Sequence, residues 1–302
     1  MDHSVKENSS RRIGVLGDWF QRDYQSDLLY GIEEEAENQG VQTLHFIGRA
    51  PNSPLPDHGN HNLVYDTALE ASLDGLIILP MFVMHVPEII ISAFVSGFQA
   101  IPLITIGFKT RYGAAILTDN TTGFRSLMRH LTVDHGYRKL AFLNGPDMMP
   151  ESVRRREIYE SALNDAELKV NSSLLSTGFF SFLSGQEAVC TYIDARGLLP
   201  GRDFEALICA NDQMAWGAIK ELEKRGFNVP GDVAVTGFDD ILSSLFPMPT
   251  ITTVNQCMHQ IGKAAVSRIL AHDSGGTDTV IKSELVIRGS CGCPYHENES
   301  GR

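Results

Sequence analysis

The chain alternates between two hydrophobic rhythms. Short apolar runs with little polar alternation recur at Ile13–Gly17, Thr43–Ile47, Gly75–Leu79, Leu103–Gly107, Leu140–Gly145, Ala206–Ala210 and Val233–Gly237. Strands buried on both faces of a parallel sheet have this pattern. Between them, apolar residues return at helical spacing. Ser26 precedes Leu28, Leu29, Ile32 and Ala36, and Gly40 closes that stretch. Thr121–His135 closes at Gly136, Asp212–Arg225 closes at Gly226, and Gln256–Ala271 is the last long stretch. A glycine just past the final turn supplies the left-handed residue that ends a helix.

Strand and helix repeated in this order imply βαβ units with right-handed crossovers. The strands are too many for one sheet, so the expected fold class is α/β, with two Rossmann-like doubly wound lobes. The 302 residues allow about two domains. The proline-, asparagine- and histidine-bearing segment Ala50–His61 and the segment His272–Thr279 read as linkers.

In open α/β sheets ligands bind beyond the carboxyl ends of the strands, so the residues that follow each strand matter most. They are Asp18, Trp19 and Phe20, then Tyr24 and Gln25 after the first strand, with Phe82, Phe108, Asn211, Asp239 and Asp240 after later ones. Aromatic faces can stack on a sugar or a base, and carboxylates and amides can pair with hydroxyls. Trp19 and Phe20 could instead pack between lobes. Asp212 reads as a helix cap. Asp240 reads as a turn or cap residue whose loss costs about 1 kcal/mol. Arg154-Arg155-Arg156 open a helix, where the macrodipole disfavours cations. One guanidinium aimed at the ligand accounts for this, and Arg155 is preferred over Arg154.

Composition narrows the function. Lys+Arg 25 against Asp+Glu 37 leaves a net charge of −12, which argues against broad binding to a phosphate backbone. No apolar run approaches the ~20 residues of a membrane helix. The polar Met1–Ser10 lacks a secretory h-region, so a cytoplasmic location is expected. Of the five cysteines, Cys190, Cys209 and Cys257 read as buried thiols in a reducing compartment. Cys291-Gly292-Cys293 with His296 offers too few ligands at too tight a spacing for a metal, and reads as a polar tail. His130 and His135 read as solvent-facing or capping residues. Nucleophile-elbow, phosphate-loop, zinc-protease and dinucleotide motifs are absent from the sequence. No enzyme, cofactor or metal is therefore expected; an enzyme would have to use Asp239 as its base.

Several motifs then fall in one order: Asp119-Asn120 with Gly123, His135 to Leu140, Gly145-Pro146, Asn211 to Ala215 with Gly217, Asn228 to Val233, Gly237 to Asp240, Pro249 to Val254, and Ile287 to Ser290. In this order the chain, from about residue 12 to residue 292, resembles the effector-binding core of the LacI/GalR repressor family, a fold shared with periplasmic sugar-binding proteins. The resemblance implies ligand contacts for Arg155, Asn211 and Asp239, with Tyr24, Gln25 and Gln256 matching further binding positions. It also implies a homodimer, a three-crossover hinge, and a small polar effector such as a carbohydrate. DNA would be reached only through a domain absent from this chain, because family repressors carry a helix-turn-helix ahead of the core. Gly107-Phe108 stands where sugar-binding relatives often have Asp-Arg, which argues against a simple pentose. The expected organisation is a leader 1–11, a first lobe of 12–117 plus 251–276, a second lobe of 118–250 plus 277–290, and a tail 291–302. The function so implied is a non-catalytic sensing domain of a transcriptional or signalling regulator. The sensor half of a signal-transduction enzyme and a sugar-transport receptor are the alternatives.

Overall fold

A computed structural model describes residues 11–17, 23–51, 56–80, 86–147, 149–246 and 248–294. The chain divides into two compact units: residues 1–118 with 258–281, and residues 119–257 with 282–302. It passes from one to the other after Thr118, after Cys257 and after Ile281. The second and third passages come later than the sequence boundaries of 250 and 276. Residues 252–255 stay in the second unit because they extend its sheet: Thr252 bridges Thr236, and Asn255 bridges Asp239. Residues 277–281 stay in the first unit, where the Asp278 carboxylate accepts the Ala115 N–H at 2.9 Å.

The first unit holds β1 (Arg12–Gly17), α1 (Asp23–Asn38), β2 (Gln42–Ile47), α2 (Pro56–His61), α3 (Leu63–Glu70), β3 (Gly75–Ile78), α4 (Glu88–Ser96), β4 (Leu103–Ile106) and β5 (Ala114–Asp119). After the second-unit elements, α9 (Met258–Leu270) and β11 (Thr279–Lys282) return to it. Its six-stranded sheet has the order β11-β5-β4-β3-β1-β2. The lack of alternation in its strands has a direct cause. Ile13 and Val15 of β1, with Ile77 of β3 and Ile104 of β4, pack against α1 and α9. Leu16, Leu76, Ile78 and Leu103 pack on the other face with α3 and α4. His58 and His61, read as loop residues, lie in the short α2.

The second unit holds α5 (Asn120–Arg129), β6 (Leu140–Asn144), α6 (Pro150–Asp165), β7 (Leu175–Thr177), α7 (Phe182–Cys190), β8 (Ala206–Cys209), α8 (Asp212–Lys224), β9 (Ala234–Thr236), β10 (Thr253–Asn255) and β12 (Glu284–Val286). Its parallel sheet has the order β7-β6-β8-β9, so the connections change direction between β6 and β8. The continuous core includes Phe124, Phe142, Tyr159, Tyr192, Phe204 and Phe238. It also includes Cys291, which is fully buried. The polar tail expected from residue 291 therefore does not begin there, and His296 lies outside the described residues. No described helix is long and apolar enough to cross a membrane.

Candidate functional site

The switch in strand order marks the carboxyl ends of β6 and β8 as the place where a crevice opens. The chain puts Asn144 and Gly145 there after β6, Ala210 and Asn211 after β8, and Phe238 and Asp239 after β9. Arg155 reaches them from α6. That helix begins at Pro150, so the three arginines form its second turn and not its opening. Arg154 is exposed and pairs with Glu157 at 3.0 Å, and Arg156 pairs with Glu160 at 2.9 Å. Arg155 points inward and is only 4% exposed.

Its guanidinium carbon lies over the Phe238 ring, 3.7 Å from the centroid. Nη1 donates to the Ala210 carbonyl at 2.5 Å, and Nη2 stands 3.8 Å from Asp239 Oδ1. Gln256 Nε2 donates to the same Asp239 oxygen at 2.6 Å. Burial pushes the Asp239 carboxyl up to about 6, against the opposing pull of Arg155 and Gln256. Asn144 Oδ1 at the end of β6, and Ser152 Oγ one turn before Arg155 on α6, are buried with no hydrogen-bond partner among the described residues. Gly145 brings these groups close: a β-carbon there would lie 2.1 Å from Phe180 and 2.5 Å from Ser152 Oγ.

The backbone here is strained. Phe180, Asp239 and Asp240 have φ of 55°, 111° and 55°, left-handed values that side chains other than glycine rarely adopt. Such outliers concentrate where ligands are held.

The second unit thus brings Arg155, Asn211, Asp239 and Gln256 together. The structure changes what two neighbours do. Asn211, and not Asp212, caps α8: its side chain accepts the Met214 N–H at 3.0 Å and donates to the Phe180 carbonyl at 3.1 Å. Asp212 is buried, and that burial together with the nearby Asp239 charge pushes its carboxyl well above the usual carboxylate range. It ties Thr253 Oγ1 at 2.6 Å and the Ile241 N–H at 3.1 Å to the site loop. Asp240 is not a mere turn residue. It is buried, pairs with Arg288 at 2.5 Å and accepts from Asn255 at 2.8 Å. Its contribution therefore exceeds that of a cap. Sequence reasoning missed Asn144 and Ser152; the signal for Asn144 was its place beside Gly145 at a strand end, and Ser152, in the first turn of α6, had none.

The first unit's expected contacts are less complete. Asp18, Trp19 and Phe82 lie outside the described residues, and so does the Tyr24 side chain. Gln25 is fully buried, with both amide atoms unpartnered among the described residues. Phe108 packs partly buried on the α3/α4 side of the core, and its carbonyl accepts from Thr105 Oγ1 at 2.6 Å.

Comparison with known proteins agrees with this architecture. A family described as periplasmic binding protein-like domain matches residues 128–291. The HTH-type transcriptional repressor PurR of Haemophilus influenzae (strain PittEE) is 26% identical over 295 residues, 95% of this chain and 83% of that protein. The lac repressor dimer bound to operator and the anti-inducer ONPF superposes with a TM-score of 0.75 at 22% identity, covering 94% of this chain and 95% of that one. A transcriptional regulator CelR-cellobiose complex gives 0.73 at 23% identity, over 93% of this chain and 85% of that one. The chain belongs to the periplasmic binding protein-like family, with the architecture of a LacI/GalR effector-binding core.

Proposed function

We propose that the chain is the ligand-sensing core of a LacI-type regulator, and that it binds a small polyhydroxyl compound in the second-unit site without transforming it. The observation that carries this reading is the Arg155–Asp239–Gln256 group, with Arg155 over the Phe238 ring, together with the buried Asn144 Oδ1 and Ser152 Oγ that have no partner among the described residues. A guanidinium fork can donate and a carboxylate can accept, which suits paired hydroxyls, and the buried Phe238 ring fixes the guanidinium from behind. A polar atom left buried and unpaired is costly, and a ligand hydroxyl relieves that cost. The relatives that are transcriptional repressors, and the one in complex with cellobiose, support the same class of role. Homodimeric assembly and a cytoplasmic location belong to this reading. Effector binding acts on output only through its differential affinity for two conformers.

A thermal-shift screen of mono- and disaccharides, nucleosides and related metabolites tests it. A ligand that binds the native state adds RT ln(1 + [L]/Kd) to stability. We expect at least one polyhydroxyl compound to raise Tm, and Arg155→Ala and Asp239→Ala to weaken its calorimetric binding by roughly 30- to several-thousand-fold. Turnover of that compound, or normal binding by both variants, overturns the proposal.

A further inference from the structure

A second constellation stands in the segment that leads into β6. His130 and His135 are five residues apart, a spacing that sets side chains about 140° apart on an α-helix. Here α5 passes into a π-helical turn over His130–Asp134, and the His135 N–H bonds the His130 carbonyl at 3.0 Å. The wider turn brings both rings to one side. Their Nε2 atoms are 3.1 Å apart, and the rings meet edge to face.

The C-terminal segment arrives at the same point. Cys291 ends a short 3-10 turn, and Gly292 reverses the chain with φ of 101°. A side chain at 292 would meet the Tyr137 hydroxyl at 3.3 Å. That reversal lets Cys293 return to the spot Cys291 already faces. Cys291 Sγ is 3.6 Å from His130 Nε2; Cys293 Sγ is 3.5 Å from His130 Nε2 and 3.4 Å from His135 Nε2. All four ligand atoms lie within 4.8 Å of one another.

Those distances have the form of a coordination polyhedron. Zinc bonds of about 2.05 Å to nitrogen and 2.3 Å to sulfur, at tetrahedral angles, separate N from N by about 3.4 Å, N from S by about 3.6 Å and S from S by about 3.8 Å. The four edges given above, from 3.1 to 3.6 Å, fall within a few tenths of an ångström of those values, and all six lie within 4.8 Å. His130 also meets the usual outer requirement of a zinc-bound histidine: its Nδ1 is 3.0 Å from the Asp134 carboxylate. His135 is held by stacking on Tyr137, whose hydroxyl donates to the Cys291 carbonyl at 3.0 Å. We propose that His130, His135, Cys291 and Cys293 form a tetrahedral Cys2His2 zinc site that clips the C-terminal segment to the end of the π-helical turn.

Four protein ligands close the coordination sphere, so the role is structural and not catalytic. The site joins residues 161 positions apart in the chain. It shares no residue with the proposed effector site, whose residues follow the carboxyl ends of the strands, whereas His130 and His135 precede β6.

The untagged 302-residue chain, reduced and stripped of metal, is titrated with zinc sulfate alone and, separately, with Co2+ as an optical reporter. We expect one zinc per chain to survive dialysis. We also expect the intense visible bands of tetrahedral Co2+ with a near-ultraviolet thiolate charge-transfer band, both bleached by zinc. Cys293→Ser and His135→Gln change half-buried positions and should each weaken zinc binding by about 100-fold or more, with far-UV circular dichroism unchanged. Asp134→Asn should weaken it about 10- to 100-fold. Failure of the native chain to retain zinc, an octahedral cobalt spectrum without the thiolate band, or a Cys291–Cys293 disulfide that persists under reducing conditions with zinc present each overturns the site. So does unchanged affinity in both variants. Should a variant misfold, the cobalt spectrum of the native chain decides the matter alone.

Discussion

Asp239 carries its carboxyl in a buried, left-handed segment, and burial pushes its titration up to about 6 against the pull of Arg155 and Gln256. An unfolded aspartate titrates near 3.9. Between those values the native state holds the extra proton, so stability falls as pH rises from about 4 to about 6 and stays lower above. Asp239→Asn removes the buried charge and keeps an acceptor for Gln256. Asparagine also tolerates a left-handed backbone. We expect a higher Tm at pH 7.5, worth at most about 3 kcal/mol from a difference of roughly 2 pH units. No such gain is expected at pH 4, and effector binding should be lost at both. Its neighbour responds with the opposite sign. Asp240→Ala leaves the Arg288 guanidinium without its buried partner and should cost about 3–5 kcal/mol. Thermal melts of both variants at the two pH values check the pair. A lower Tm for Asp239→Asn at pH 7.5, or an unchanged one for Asp240→Ala, would show these roles to be misassigned. The two carboxylates are adjacent and identical in sequence. Their tasks differ because one faces the Arg155 guanidinium and the other the Arg288 guanidinium, 48 residues further along the chain.

At the scale of elements, α1 and α9 meet through glycines. A β-carbon on Gly31 would lie 2.1 Å from the His259 carbonyl oxygen, and one on Gly262 would lie 2.3 Å from that of Leu28. The contact is reinforced where Glu34 accepts from His259 and Lys263. The second unit repeats the device, with Gly185 against the Met214 carbonyl and Gly217 against that of Phe182. Gly262→Ala must push backbone from backbone, which no rotamer change relieves, and should destabilise by about 1–3 kcal/mol. Gly275→Ala, with open space around it, should change little. Denaturant midpoints of the two variants distinguish them, and equal midpoints would refute close helix approach as the cause. Most strands of the two larger sheets were readable because burial on two faces leaves a run of Leu, Ile and Val. β7, β10, β11 and β12 were not, since these short strands mix polar with apolar residues and form no apolar run. β5 was also missed: its apolar run gives way to Thr118 and Asp119, the latter capping α5.

At the scale of the whole molecule, the net charge of −12 decides which partners are accessible. Phosphate neutralisation by Lys and Arg supplies most non-specific DNA affinity. This chain, on its own, should therefore show no sequence-specific nanomolar shift of duplex DNA even at low salt. A gel-shift series from 50 to 200 mM salt checks this, and a salt-dependent specific complex would contradict it. For the proposed effector, a site where one arginine already faces one carboxylate suits an uncharged polyhydroxyl compound.

Local order along the chain determined the α/β class, the succession of units and the choice of strand ends as the place to look. It also marked Arg154-Arg155-Arg156 and Asp239 as candidates, on the reading that the arginines open a helix and that Asp239 follows a strand; the helix in fact starts earlier, at Pro150. Tertiary structure decided which arginine turns inward, that Asn211 caps while Asp212 braces the loop, and that residues 252–257 complete the second unit. It alone joined Cys291 and Cys293 to His130 and His135, and turned Asp240 from a turn residue into half of a buried ion pair. The physical reason is range. Hydrophobic period, helix caps and turns act over a few residues and are written in the neighbouring letters. Pairs such as Cys291 with His130 are set by the path of the whole chain, which places in contact groups that no local pattern connects.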